Sequence, residues 1–446
     1  MKRIATLIAA AAVLLSACGE SKLPEPTGKG SIRAINAIPA SPSIAFLIER
    51  RNIATADYKG ATAAARYDDF LYNFNFEVLY PGDTARTNIA TQPLQVVANR
   101  DYVLVVGGTL DNATITVWEG DERTWAGDET DFELRFGHAA GAFGDADVYF
   151  VPQNDVAGPN NLAATLAFGE ASAASDVAEG DYTILVTAAG DINDVLFQSE
   201  EITFGAQNAL LITLFDGDEN DLSSMAVRSV LPSGNVVALA DANTLPTLRF
   251  IHASTDLGPV DIYDDALLAN RIVANQAFGG VSGDIPGPVG DTSITITPPD
   301  DTGVLLIERD YTAIAGTFAT MYLVGQAGNH SAVAQSGERR SISVQARFRL
   351  FHASSNHPTV DVYVVEPDAL IDEEGPDRFA LPFAFDSGYL SLLAGDYDVY
   401  ITTSGEKTVL DGPFRLTVAL GDVVEALILD RVATPDTVEI RLIQDP

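Results

Sequence analysis

Short runs in which apolar and polar residues alternate recur along most of the chain, as in Tyr182-Thr183-Ile184-Leu185-Val186-Thr187, Ser293-Ile294-Thr295-Ile296-Thr297 and Tyr397-Asp398-Val399-Tyr400-Ile401-Thr402. A period of two over five or six positions, rich in β-branched and aromatic side chains, predicts strands. Further apolar runs stand at 102–106, 209–214, 311–314 and 423–429, and Pro, Gly, Ser and Asn fill the gaps, as turns require. Capped helical patterns are almost absent. Two stretches depart from the alternation and are candidates for short helices, 61–74 and 367–385; the second contains Asp372-Glu373-Glu374-Gly375-Pro376 and reads as an inserted solvated loop.

The pattern is copied four times. Ile32-Arg33-Ala34-Ile35-Asn36-Ala37, Leu134-Arg135-Phe136-Gly137-His138-Ala139, Leu248-Arg249-Phe250-Ile251-His252-Ala253 and Phe348-Arg349-Leu350-Phe351-His352-Ala353 align with one another. Each is followed by a second element, Ser43-Ile44-Ala45-Phe46, Ala146-Asp147-Val148-Tyr149, Val260-Asp261-Ile262-Tyr263 and Val360-Asp361-Val362-Tyr363, and then by a Gly-Asp pair at Gly82, Gly180, Gly290 and Gly395. The unit is about a hundred residues, the size of one small domain. With about six or seven short strands per unit, the expected fold is all-β: four tandem antiparallel Ig-like sandwiches. The boundaries read as a signal peptide at 1–17, a lipidated N-terminus and tether at 18–30, and sandwiches at 31–128, 129–240, 245–341 and 343–446, the first of them divergent.

Leu-Arg-x-x-His-Ala-Ser followed by Val-Asp-Val/Ile-Tyr, best preserved at 248–263 and 348–363, resembles the bacterial domain of unknown function 4397. The first copy departs from it, with Asn36 for the histidine and Ala45 for the aspartate. The resemblance implies an exported sandwich-like module and no established chemistry.

Lys2 and Arg3, an apolar run at 4–15 and Leu15-Ser16-Ala17-Cys18 form a secretory signal that ends in a lipobox. The run is too short to span a bilayer, which takes about 20 residues. Leu-Ser-Ala-Cys resembles the bacterial lipoprotein site, so Cys18, the only cysteine, is expected to carry a lipid; the other reading is an ordinary signal with a coincidental cysteine. Gly19 follows where an aspartate would resemble an inner-membrane retention signal, which favours the outer membrane, facing the periplasm or the cell surface. No intrachain disulfide can form, so burial alone must hold the fold.

The formal net charge is −36, and removal of Lys2 and Arg3 with the signal leaves −38. That field repels nucleic acid and anionic lipid and attracts divalent cations. With 47 % hydrophobic residues the chain does not have the composition of a disordered one.

Chemistry has few footholds. His138, His252 and His352 share the apolar face of their strand and are expected to pair with Asp147, Asp261 and Asp361 on the next strand, or with a backbone carbonyl; metal binding by the same His-Asp pairs is the alternative. Arg135, Arg249 and Arg349, like Arg33, point away from that face, into an exposed cross-strand ion pair or a contact between domains. Asp216, Asp218 and Asn220 alternate as calcium ligands do, but Asp221 stands where an EF-hand loop needs glycine and Val227 where it needs glutamate, so a solvated loop competes. Nucleophile, phosphate-cradling and zinc motifs are missing. The expectation is a non-catalytic, lipid-anchored envelope protein without a cofactor, calcium aside. It binds an envelope protein or a glycan and no nucleic acid; a structural spacer, and then a hydrolase, are the alternatives.

Overall fold

The computed structural model describes residues 25–326 and 328–443, so Cys18 and the signal lie outside the described residues. The first sandwich consists of β1 (Lys29–Asn36), β2 (Ile44–Ile48), β3 (Arg51–Ala56), β4 (Ala65–Asp68), β5 (Leu71–Val78), β6 (Thr87–Gln95), β7 (Arg100–Thr109) and β8 (Asn112–Asp121). One sheet has the order β4-β1-β7-β8 and the other β3-β2-β5-β6. Neighbouring strands are antiparallel except β1 and β7, which run parallel, with Arg33 beside Val103.

The same order recurs three more times, beginning at Asp131–His138, Thr247–His252 and Ala346–His352. In the second copy the β6 position is split into Val195–Gln198 and Ile202–Phe204, and Val236–Leu239 is added outside the β8 position. Each sandwich thus holds at least eight strands, more than the alternation predicted. The strand that escaped is β4: its counterparts, Ser175–Ala178, Ile285–Pro286 and Leu390–Leu392, run two to four residues, too short to show a period. The two helix candidates are not helices. Residues 61–74 form β4 and the start of β5, and 367–385 form a single 3-10 turn, Ile371–Glu373, and the strand Arg378–Pro382.

Alternation builds the four cores. On β1, Ile32 and Ala34 turn inward onto Phe46, Phe76 and Leu104; Phe132, Phe136, Phe150 and Ile212 do the same in the second sandwich. Phe250 with Met321 and Phe348 with Ile428 fill the third and fourth. Each such side chain contributes about 1.5–3 kcal/mol by leaving water.

The alternate residues of the first strands are buried as well, because the sandwiches pack in pairs through the outer faces of their β1–β7 sheets. Ile35, Val103, Val105 and Trp118 meet Leu211, Phe215, Ala226 and Val230 between sandwiches one and two. Ile251 and Tyr322 meet Phe351 and Leu427 between three and four, with the Tyr322 and Phe351 rings stacked at 3.7 Å. Gly137 stands where the other copies have Ile35, Ile251 and Phe351; a Cβ there would lie 2.5 Å from the Trp118 ring. The missing side chain admits the indole, whose N–H donates to the carbonyl of Gly169 at 2.8 Å.

Candidate functional site

The histidines sit at the end of the first strand of their sandwich, completely buried. Nε2 of His138, His252 and His352 lies 2.9, 2.6 and 2.8 Å from the carbonyls of Gly144, Gly258 and His357. Nδ1 faces the backbone N–H two residues on, from Ala140, Ser254 and Ser354, at 3.3, 3.4 and 3.4 Å. A carbonyl only accepts and an N–H only donates, so each ring is neutral with its proton on Nε2. Burial holds His252 below its ordinary pKa and brings His352 down to about 4, against the bond to the His357 carbonyl. Both nitrogens are engaged in folding the loop between the first two strands. In the first copy Asn36 does the same work: Oδ1 accepts from the N–H of Ile38 at 3.0 Å, and Nδ2 donates to Ser41 and to the carbonyl of Ala56.

The aspartates on the second strand do not meet the histidines. Asp261 accepts from the N–H groups of Asn275 and Asp300 at 2.7 and 2.9 Å and from Arg271 at 2.8 Å. Asp361 likewise takes Ala380, Ser404 and Gly405. Asp147 takes Thr165 and Gly190. These carboxylates pin the third strand and the turn after the fifth, where Asn275, Ala380, Asp300, Gly190 and Gly405 have positive φ. The sequence put His and Asp together because they lie on neighbouring elements; the β-sandwich sends them to different sheets.

The arginines point away from their own core, as the alternation requires, but they are buried, because that face is the seam between paired sandwiches. In the second pair, Glu425 accepts from Arg349 of its own sandwich and from Arg249 of the neighbour at 2.8 Å, and Tyr389 adds its hydroxyl at 3.0 Å. Burial raises the Glu425 carboxyl and the two guanidinium groups overcome it, so it stays below the ordinary carboxylate range. The first pair lacks this acid, since Val103 and Leu211 occupy the places that Glu425 holds in the fourth copy. There Arg135 donates to the carbonyls of Glu119 and Ser172, while Nε and Nη1 of Arg33 find no partner among the described residues. Asp101 lies 3.5 Å from Arg33, whose proton affinity is lowered by burial.

The acidic loop after Asp216 is a clasp. Asp218 lies 2.8 Å from Lys59 of the first sandwich, Asp221 is shared by Lys59 and Arg228, and Asp216 accepts from the N–H groups of Gly141 and Ala142. Asn220 accepts from the N–H of Arg339, in the linker to the fourth sandwich, where Arg340 also donates to the carbonyl of Ser41 at 2.7 Å. The three calcium candidates are therefore spent, Asp216 on the backbone of its own sandwich and Asp218 and Asn220 on groups from outside it. Among the described residues no group of three His, Cys, Asp or Glu is placed around a metal position.

Ser354, His357 and Asp430 stand together, yet the serine lies between the other two, 3.0 Å from Nδ1 of His357 and bonded to the carboxylate. A relay that activates a hydroxyl needs the histidine in the middle. Two clefts are polar seams between the first and second sandwiches, one of about 520 Å³ beside Trp118, Arg135 and Glu170, the other of about 590 Å³ beside Arg100, Arg123 and Asp176.

One repeated element escaped the sequence reading. Thr62, Ser172, Ser282 and Ser387 each accept the N–H of the first strand, from Ala34, Phe136, Phe250 and Leu350, at 2.8–3.0 Å. An aromatic four residues earlier, Tyr58, Phe168, Phe278 or Phe383, is the signal that would have found them.

With this geometry in place, the likeness at 248–363 can be assigned. The family model of the Domain of unknown function (DUF4397) matches residues 246–363. The chain is DUF4397-like over that stretch. It covers the third sandwich and the first two strands of the fourth, and the strand order of the DUF4397 segment is that of all four copies. No curated protein matches. Among solved structures, the Bacillus anthracis TIE protein aligns at 11% identity over 91% of this chain and 69% of that one, with a TM-score of 0.15. A product complex of SpuA, a multi-modular glycogen-degrading pneumococcal virulence factor, aligns at 12% identity over 85% of this chain and 37% of that one, with a TM-score of 0.17. At such TM-scores neither likeness bears on fold or function.

Proposed function

We propose that this chain is a lipid-anchored protein of the cell envelope, held in the outer membrane through Cys18, whose four sandwiches form a non-catalytic platform for binding an envelope protein or a glycan. The observation that carries the reading is that the histidine, the second-strand aspartate and the arginine copied between the repeats are turned to loops and seams of the fold. Histidine closes one loop, aspartate braces two others, and arginine fills the seams, so recognition falls to what differs between copies. The turns between the second and third strands differ most. They project exposed Val156, Leu267 and Leu370 from the second, third and fourth sandwiches, each beside aspartates. Pairing supports presentation over reach, since a spacer gains length by stringing domains end to end rather than clasping them side by side.

Two measurements test this. Labelling of cells with a palmitate analogue should mark the protein and lose the mark in Cys18→Ser; an unmarked wild type would overturn the anchor. The chain from Gly19 onward should then capture an envelope protein or a glycan on an array, and lose it when Val156, Leu267 and Leu370 are changed together to serine. Failure on both arms would leave the spacer.

A further inference from the structure

The charge is shared very unevenly between the copies. Residues 31–128 carry 12 acidic and 8 basic side chains, whereas 129–240 carry 18 acidic side chains against Arg135 and Arg228 alone. The sandwich next to the tether is thus the least acidic of the four, and its neighbour in the first pair the most acidic.

One end of that sandwich is also chemically distinct. β1 starts there, and the β2–β3, β4–β5 and β6–β7 turns gather around it. The chain enters at Thr27, which is tied to Asp69 through its backbone N–H and its hydroxyl, while Lys29 pairs with Asp68 at 3.0 Å. Beside this anchorage Leu71 is 64% exposed and Val97 49% exposed. Phe70 and Tyr72 form a half-buried ring pair at 6.5 Å, and the β2–β3 turn adds exposed Arg50 and Arg51. The acids at this end are engaged: Asp68 and Asp69 as above, Asp121 with Arg100, Glu122 with Arg66, and Glu49 with the N–H of Asn73. The opposite end is occupied, since Lys59 is clasped by the acidic loop and the carbonyls of Ala40 and Ser41 accept from Ser343 and Arg340.

We propose that this end of the first sandwich, with Phe70, Leu71, Tyr72 and Val97 ringed by Arg50 and Arg51, rests on the surface of the lipid bilayer. The proposal rests on Cys18 being the anchor. Thr27 stands nine positions after Cys18, a span of at most about 30 Å, so the point where the chain enters the sandwich stays close to the membrane. Apolar side chains flanked by tyrosine and arginine suit the headgroup layer, where an amphipathic ring is at home and cations meet lipid phosphates. The strongly acidic second sandwich is repelled by the same surface, so charge and contact turn the molecule the same way.

The test supplies the anchor chemically. The chain from Cys18 onward, coupled through its single thiol to a maleimide lipid in vesicles of phosphatidylethanolamine and phosphatidylglycerol, is compared by hydrogen exchange with the same chain whose thiol is capped. The turns at 49–51, 69–72 and 96–99 should exchange several-fold more slowly on vesicles, and the matching turns of the third and fourth sandwiches should not change. Leu71→Asp with Val97→Asp, both at exposed positions, should abolish the protection while coupling persists. Unchanged exchange at the three turns, or equal protection in all sandwiches, overturns the contact. Because the coupling does not depend on lipidation in the cell, that result leaves the palmitate experiment untouched.

Discussion

Arg249 leaves the third sandwich and bonds Glu425 of the fourth at 2.8 Å, on the carboxylate that also serves Arg349. One carboxylate is therefore shared by two buried cations across a domain seam. Glu425→Gln takes from both buried guanidinium groups the carboxylate they share, although Asp386 still lies 3.8 Å from Arg349; removing one partner of a buried ion pair costs roughly 3–5 kcal/mol. Urea unfolding of the full chain should show a loss of that size in the transition that reports the third and fourth sandwiches, with Tyr322 or Phe351 exposure as the local readout.

Arg33 faces the opposite situation. Two of its nitrogens have no partner among the described residues, and the carboxylate paired with it, Asp101, is partly exposed and can hydrate. Arg33→Leu is therefore expected to leave stability unchanged or raise it by about 1 kcal/mol or more. Arg249→Leu should lower it. A destabilised Arg33→Leu would mean that the first pair depends on this guanidinium after all.

The difference between the two pairs could not be read from the chain. Arginine recurs at a fixed step and the alternation shows correctly that it leaves its own core, but Glu425 is present in one copy only and lies 176 residues from Arg249. The repeat, the strands and the sandwich class were legible because they depend on local periodicity. The partners of the histidines were not, because they are backbone carbonyls, which carry no residue name. Nor could the sequence show that Asp218 would be claimed by Lys59, from a different sandwich.

Buried His252 and His352 make stability depend on pH. The His352 pKa falls from the ordinary value of about 6.5 to about 4 in the folded chain, so on acidification the unfolded chain takes up the proton first. Stability is intact above pH 6.5, declines as pH falls toward 4 and then levels, a loss of about 3 kcal/mol at most. His352→Asn should keep both hydrogen bonds in the manner of Asn36 and remove this dependence. Between pH 7 and 4.5 the urea midpoint of the wild type should fall relative to that of His352→Asn; a constant gap would refute the neutral ring.

Gly137 makes room for Trp118, one of two tryptophans in the chain. Gly137→Ala puts a methyl group into the indole and should cost about 1–3 kcal/mol, as overpacking does. Displacing the ring also breaks its bond to Gly169, so the emission spectrum should shift to the red in the folded protein. An unshifted spectrum at wild-type stability would count against the packing described here.

Each sandwich offers one β1–β7 face, and each such face is used up by one neighbour. Such a chain can be lengthened only by twos. A fifth sandwich would leave a sheet of apolar side chains and an arginine open to water, inviting association with another odd copy, so duplication of these units should have proceeded in even numbers.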